Sequence, residues 1–133
     1  MVLQYYGMMG APHSWSTVSI ALLLEFQKKG VELLCKSTNK PTGIPESLQS
    51  TLVPNKVNLS TDVSFSYTIP PNLRKINAKH KIQIYNYETT ILPPNYAYMM
   101  NNYAHLVLPS STFAQEIFEM NGVKPERMVV VPH

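Results

Sequence analysis

Residues 105–133 read HLVLPSSTFAQEIFEMNGVKPERMVVVPH, and this stretch decides the fold class. The apolar run Leu106-Val107-Leu108 leads through Pro109-Ser110-Ser111 into a helix expected over residues 112–120, which Asn121-Gly122 closes. A second apolar run, Met128-Val129-Val130-Val131, then ends at Pro132-His133. Two uninterrupted apolar strands flanking one helix are what a parallel sheet covered on both faces requires. A chain that finishes on such a core strand, with no closing helix, reads as one half of a larger fold.

Working back from that stretch, the same alternation repeats. Tyr96, Met99, Met100 and Tyr103 fall at i, i+3, i+4 and i+7, which predicts a helix that Asn95 can cap. A strand is expected over residues 81–87. Another is expected over residues 63–69, where alternating polar side chains suit a place near the sheet edge. Residues 37–61 show little periodicity and contain Pro41, Pro45 and Pro54, leaving at most a short helix at 45–50. A loop this long in a compact domain is usually functional or mobile.

The chain opens with a strand over residues 2–6 and a helix running to Lys29, capped by Ser14 or Ser16. Gly30 supplies the left-handed stop, and a second strand follows over 31–36. Trp15, Val18, Leu22 and Phe26 mark the packed face of that first helix. The sum is one α/β domain over residues 1–133. It is a Rossmann-like, doubly wound, mostly parallel sheet of about six strands with helices on both faces.

Composition narrows the function classes. With 44% hydrophobic and 14% charged residues the chain is globular rather than disordered. Its single cysteine, Cys35, permits no internal disulfide and fits a small buried hydrophobe in a reducing compartment. The longest apolar stretch is far short of the about 20 residues a membrane span needs. No cationic leader precedes an apolar run, so the expected location is cytoplasmic. The net charge of +3 is partly concentrated in Arg74, Lys75, Lys79, His80 and Lys81. That cluster reads either as a solvated loop or as a contact with phosphates, through anionic lipid headgroups or a pyrophosphate-linked acceptor. No nucleic-acid motif accompanies it.

Three loops at strand ends can carry chemistry, because ligands of open parallel sheets bind beside the carboxyl ends of the strands. In GMMGAPHSW (residues 7–15), Gly7 and Gly10 let backbone N–H groups approach a ligand, and the helix start at Ser14 favours an anion. A plain tight turn explains the loop equally well, since neither a dinucleotide fingerprint nor a Walker loop is present. In Asn86-Tyr87-Glu88-Thr89, the Glu88 carboxylate can bond sugar hydroxyls or act as a base, or it can cap locally. Ser110 and Ser111 precede Thr112 and Gln115, whose spacing is that of a capping box, so pure helix capping accounts for them. His13, His80, His105 and His133 lack metal-ligand spacing, which argues against a zinc site. No GxSxG elbow is present. No cofactor is expected.

Taken in order, Tyr87-Glu88-Thr89, Leu92-Pro93, Leu106 to Ser110, Phe113, Gly122-Val123 and Val129 to His133 resemble the N-terminal domain of the family 4 (group 1) glycosyltransferases. These are retaining enzymes of the GT-B fold, in which two Rossmann-like domains face each other across a cleft. The resemblance covers most of the chain, best from Tyr87 onward and weakly over residues 37–61. The glycine-bearing loop from Gly7 to Ser14 also stands in the family's place.

What the resemblance implies is transfer of a sugar from a nucleotide-sugar donor to a glycan or lipid-linked acceptor, with retained configuration. Glu88 matches the acidic or histidine position near the reacting sugar. Gly7, Gly10, His13 and Ser14 take the loop that approaches the donor phosphates. Asn86 and Thr89 flank Glu88, and Ser110, Ser111 and His133 stand on the cleft side as scaffold and hinge. The family's main nucleotide-sugar contacts belong to a second, C-terminal domain, so this domain alone is expected to be inactive. Arg74, Lys75, Lys79 and Lys81 offer a peripheral membrane contact. Two other classes fit the same sequence: a stand-alone Rossmann-like binding module acting with a partner chain, and half of a GT-B nucleotide-sugar epimerase.

Overall fold

A computed structural model describes residues 1–68, 71–85 and 90–132. Among these residues five strands form one sheet: β1 (Val2–Gly7), β2 (Glu32–Ser37), β3 (Thr61–Tyr67), β4 (Ala78–Tyr85) and β5 (Leu106–Pro109). The order is β2-β1-β3-β4-β5, and every neighbouring pair is parallel. Four α-helices of the described residues accompany them: α1 (Ser14–Lys28), α2 (Glu46–Gln49), α3 (Pro94–Tyr103) and α4 (Thr112–Met120). This is the Rossmann-like, doubly wound α/β architecture the sequence predicts.

Strand alternation sends one set of side chains to each helical layer. Leu3 and Tyr5 of β1, Leu33 and Cys35 of β2 and Phe65 of β3 join α1, with Leu23 fully buried, and α2, with Leu48 fully buried. On the opposite face, Tyr85 of β4 and Val107 of β5 pack with Met100 of α3, Phe118 of α4 and Leu73 of the 3-10 turn Leu73–Lys75. Progress from β1 to β2 runs one way with α1 on one face. Progress from β3 through β5 runs the other way with helices on the second face. Both follow from right-handed crossovers.

The expected sixth strand is present only as a paired segment. Val129 N donates to Val107 O (3.1 Å) and Val131 N donates to Pro109 O (2.9 Å), with a parallel bridge from Val107 to Met128. The pairing is real, but it stops short of a full strand.

The polar strand over 61–67 departs from expectation. β3 lies at the centre of the sheet, between β1 and β4, rather than near an edge. Two of its buried small polar side chains, Thr61 and Ser66, meet partners on the neighbouring strands, whereas the buried Ser64 hydroxyl meets none among the described residues. Ser66 Oγ donates to Gln83 Oε1 (2.7 Å), and Gln4 Nε2 donates to Thr61 Oγ1 (2.8 Å). Gln83 Nε2 in turn donates to Ile84 O (2.7 Å). A hydrogen-bonded seam thus replaces an apolar layer, and burial costs such groups little once they are paired.

Helix starts also shift by one or more residues. His13, not Ser14 or Ser16, caps α1: its Nδ1 accepts from Trp15 N at 3.2 Å. α3 has Pro93 at its cap and Pro94 in its first position, so Asn95 is already helical; a proline there gives up no hydrogen bond. Ser111, one residue before Thr112, caps α4 by accepting from Ala114 N at 3.0 Å. Among the described residues no helix is long and apolar enough to cross a membrane.

Candidate functional site at the strand switch point

In a sheet ordered 2-1-3-4-5 the chain reverses direction between β1 and β3, and the crevice beyond their carboxyl ends is the ligand position. A cavity of about 270 Å³ lies there, lined by Tyr6 near the end of β1 and Met8 beyond it, Thr38 after β2, Tyr67 at the end of β3 and Thr68 beyond it, with Trp15 and Asn72. Trp15 stands in the first turn of α1 and stacks on Tyr67, with ring centroids 4.8 Å apart and planes 15° from parallel. His13 meets the edge of the same indole at 5.7 Å. The cleft therefore offers an aromatic floor, hydroxyls from Thr38 and Thr68, and the amide of Asn72. Flat apolar faces beside hydroxyls and amides suit the faces and hydroxyls of a sugar.

The loop from Gly7 to Ser14 forms one wall, and its shape is set by a clamp. Asn39 Oδ1 accepts from Met9 N (3.0 Å) and Gly10 N (2.8 Å), while Asn39 Nδ2 donates to Gly10 O (3.1 Å). Ser16 Oγ donates to the same carbonyl at 2.8 Å. Both glycines are needed for close packing: a Cβ on Gly10 would run into the backbone carbonyl of Lys40, and one on Gly7 into the Tyr5 phenol. Beneath the loop, Tyr5 Oη donates to Ser19 Oγ (2.6 Å), and burial pushes its phenol well above the ordinary range. The loop is thus preorganised.

The other expected positions distribute as follows. His13 and Ser14 are exposed at the start of α1, beside the cleft. Ser110 is half-buried and Ser111 exposed, after β5. They share the cleft's end of the sheet, but three strand spacings, about 14 Å, separate β5 from β1. Asn86, Glu88, Thr89 and His133 lie outside the described residues. Burial pushes the Cys35 thiol up, and the residue is fully buried. No group of His, Cys, Asp and Glu among the described residues is arranged to hold a metal.

The basic stretch divides into separate tasks. Lys79 pairs with Asp62 at 3.4 Å, near the opposite end of the sheet. Lys81 Nζ donates to Leu73 O at 3.0 Å and so braces the 3-10 turn. Arg74 and Lys75 alone stand together on that turn, both exposed.

Sequence reasoning assigned Trp15 to the helix core and gave no role to Tyr67, Thr68, Asn72, Thr38 or Asn39. Position carried a signal: Trp15 is an aromatic in the first turn after the first strand, and Tyr67-Thr68 closes the strand with a polar face.

Three solved structures of Anabaena HepE share this fold. The one with UDP and glucose gives a TM-score of 0.68 at 11% identity. Those with UDP and with UDP-glucose give 0.67 and 0.66, each at 13% identity. Each similarity covers 99% of this chain but only 44, 44 and 43% of the HepE chain. The fold is that of somewhat under half of HepE. No family model and no curated protein matches the sequence.

Proposed function

We propose that the chain is the N-terminal, acceptor-side domain of a retaining GT-B glycosyltransferase. It would move a sugar from a nucleotide-sugar donor to a hydroxyl of a glycan or lipid-linked acceptor. The observation that carries this reading is the match of nearly the whole chain to under half of HepE, a protein solved with UDP-glucose. The switch-point cleft supports it, because it places stacking rings and neutral polar groups where a Rossmann-like half presents its ligand side.

In this reading a second Rossmann-like domain holds most of the donor and closes over the cleft. Closure excludes water and aligns the acceptor hydroxyl with the anomeric carbon, so positioning supplies much of the rate. The clamped Gly7–Ser14 loop, with the start of α1 behind it, would face the donor phosphates. Glu88 is the candidate base or sugar-hydroxyl ligand at the reacting centre, with Asn86 and Thr89 beside it. Ser110, Ser111 and His133 would serve the cleft side and hinge.

The test is to incubate the natural gene product with UDP-glucose and other nucleotide sugars, with and without candidate acceptors. Acceptor-dependent release of the nucleotide, with the new glycosidic bond in the donor's configuration, is the expected result. Release of inverted product would overturn the retaining assignment, and no release with any donor would overturn transfer itself.

A further inference from the structure

A groove of about 300 Å³ runs between the 3-10 turn Leu73–Lys75 and α3, lined by residues that include Asn72, Arg74, Lys75, Tyr96 and Tyr98. Asn72 also lines the switch-point cleft, so the two hollows adjoin across one side chain. Among the described residues no acidic side chain lines the groove. Among the described residues neither Arg74 nor Lys75 pairs with a carboxylate.

Arg74 is held in place from behind. Its Nε donates to Tyr103 Oη at 2.9 Å, and its guanidinium carbon lies 5.2 Å from the centroid of that ring. The phenol of Tyr103 most, and that of Tyr98 less, strengthen the guanidinium's hold on its proton. An arginine fixed through Nε keeps terminal N–H donors, the geometry that matches a phosphate with two parallel bonds. Lys75, next along the turn, adds a second cation, and an anion between them would relieve their mutual repulsion.

We propose that this groove binds a phosphoryl group, as a phosphate ester or pyrophosphate, with Arg74 as the two-pronged donor and Lys75 as a point charge. Combined with the transfer reading, on which this step rests, it names the acceptor class. The acceptor carries a phosphate that lies in the groove, while its hydroxyl reaches past Asn72 into the cleft.

The experiment measures hydrogen–deuterium exchange in the full gene product against increasing inorganic pyrophosphate. Saturable protection is expected in residues 71–78 and 94–103. Arg74→Gln should weaken that half-saturation about tenfold, as loss of a charge-assisted pair requires. Lys75→Gln should weaken it less, and Lys29→Gln, the same charge change at the far end of α1, should leave it unchanged. Equal weakening by Arg74→Gln and Lys29→Gln, or no protection in those segments, would overturn the proposal in favour of diffuse counter-ion binding.

Sedimentation with phosphatidylglycerol vesicles, against phosphatidylcholine, separates the sources. Capture that needs Arg74 assigns the phosphate to a lipid headgroup. Arg74-dependent pyrophosphate binding without capture assigns it to a soluble phosphorylated acceptor. Both readouts are independent of catalysis, so a protein that binds here yet transfers no sugar would sink the transfer reading alone.

Discussion

Trp15 lies flat on Tyr67, ring centroids 4.8 Å apart, joining the first turn of α1 to the end of β3 across the point where strand order reverses. One ring comes from each side of the switch point. The pair is therefore both part of the packing and the floor of the cleft.

Trp15 is the chain's single tryptophan, so its fluorescence reports on the cleft directly. A ligand seated on the indole should change that emission saturably. Trp15→Ala should abolish the signal and destabilise the domain by about 2 kcal/mol, from lost apolar burial and stacking. Urea denaturation measures the second effect. A saturable ligand-induced change in a mutant lacking Trp15 would place the signal elsewhere.

Asn39 holds the loop of the first glycines through its two bonds to Met9 and Gly10 amides and one to the Gly10 carbonyl. Removing it leaves partly buried backbone groups without their partner. Asn39→Ala should cost about 2 kcal/mol. Asn39→Asp keeps the acceptor but loses the donor, and should cost less. Gly10→Ala, which forces a methyl against the Lys40 carbonyl, should also destabilise by about 2 kcal/mol. Denaturant midpoints of the three variants check the order.

His105 links β4 and β5 through its unprotonated ring: Nδ1 accepts from Lys81 N at 3.0 Å. Desolvation, then the nearby His80, Arg127 and Lys81, lowers its pKa below the ordinary histidine value. The unfolded chain therefore binds this proton more readily, and the group favours folding more as pH rises. Its contribution is complete above the unfolded value of about 6.5 and is lost as pH falls through the lowered folded pKa. Melting temperature should fall between about pH 7.5 and pH 5, and His105→Asn should flatten part of that slope. An unchanged slope in His105→Asn would assign the dependence to other groups.

Glu88 is placed by sequence at the end of the strand before α3, and its proposed role is tested in the natural gene product. Glu88→Ala should reduce transfer by about 100-fold or more while leaving the melting temperature within a few degrees. Glu88→Gln separates the roles, since an amide can bond sugar hydroxyls but cannot act as a base. Near-normal turnover in both variants would make the carboxylate structural.

The periodic elements were the legible ones. The helix expected over 112–120 is α4, Thr112–Met120, and Gly30 and Gly122 take positive φ of 80° and 96° at the two helix ends where they were expected. β3 was misjudged because its alternating serines look solvent-facing. Ser66 and Thr61 are buried against Gln83 and Gln4, partners on other strands that no local window connects to them. The cleft was half legible. Its first loop announces itself through Gly7 and Gly10, but Asn39 and Asn72 enter from non-periodic segments, where only tertiary contact reveals what an amide bonds. Trp15 fits helical spacing and cleft alike, so spacing alone assigned it to the core.

Sugar transfer by a protein of which this domain is the acceptor-side half is the function proposed for this chain. The most direct measurement is the mass and donor turnover of the natural gene product, read together on one purified sample. A chain roughly twice the 15.0 kDa of these residues or more, releasing nucleotide from a nucleotide sugar only when acceptor is present, is the expected result. A 15.0 kDa product that releases none would contradict it.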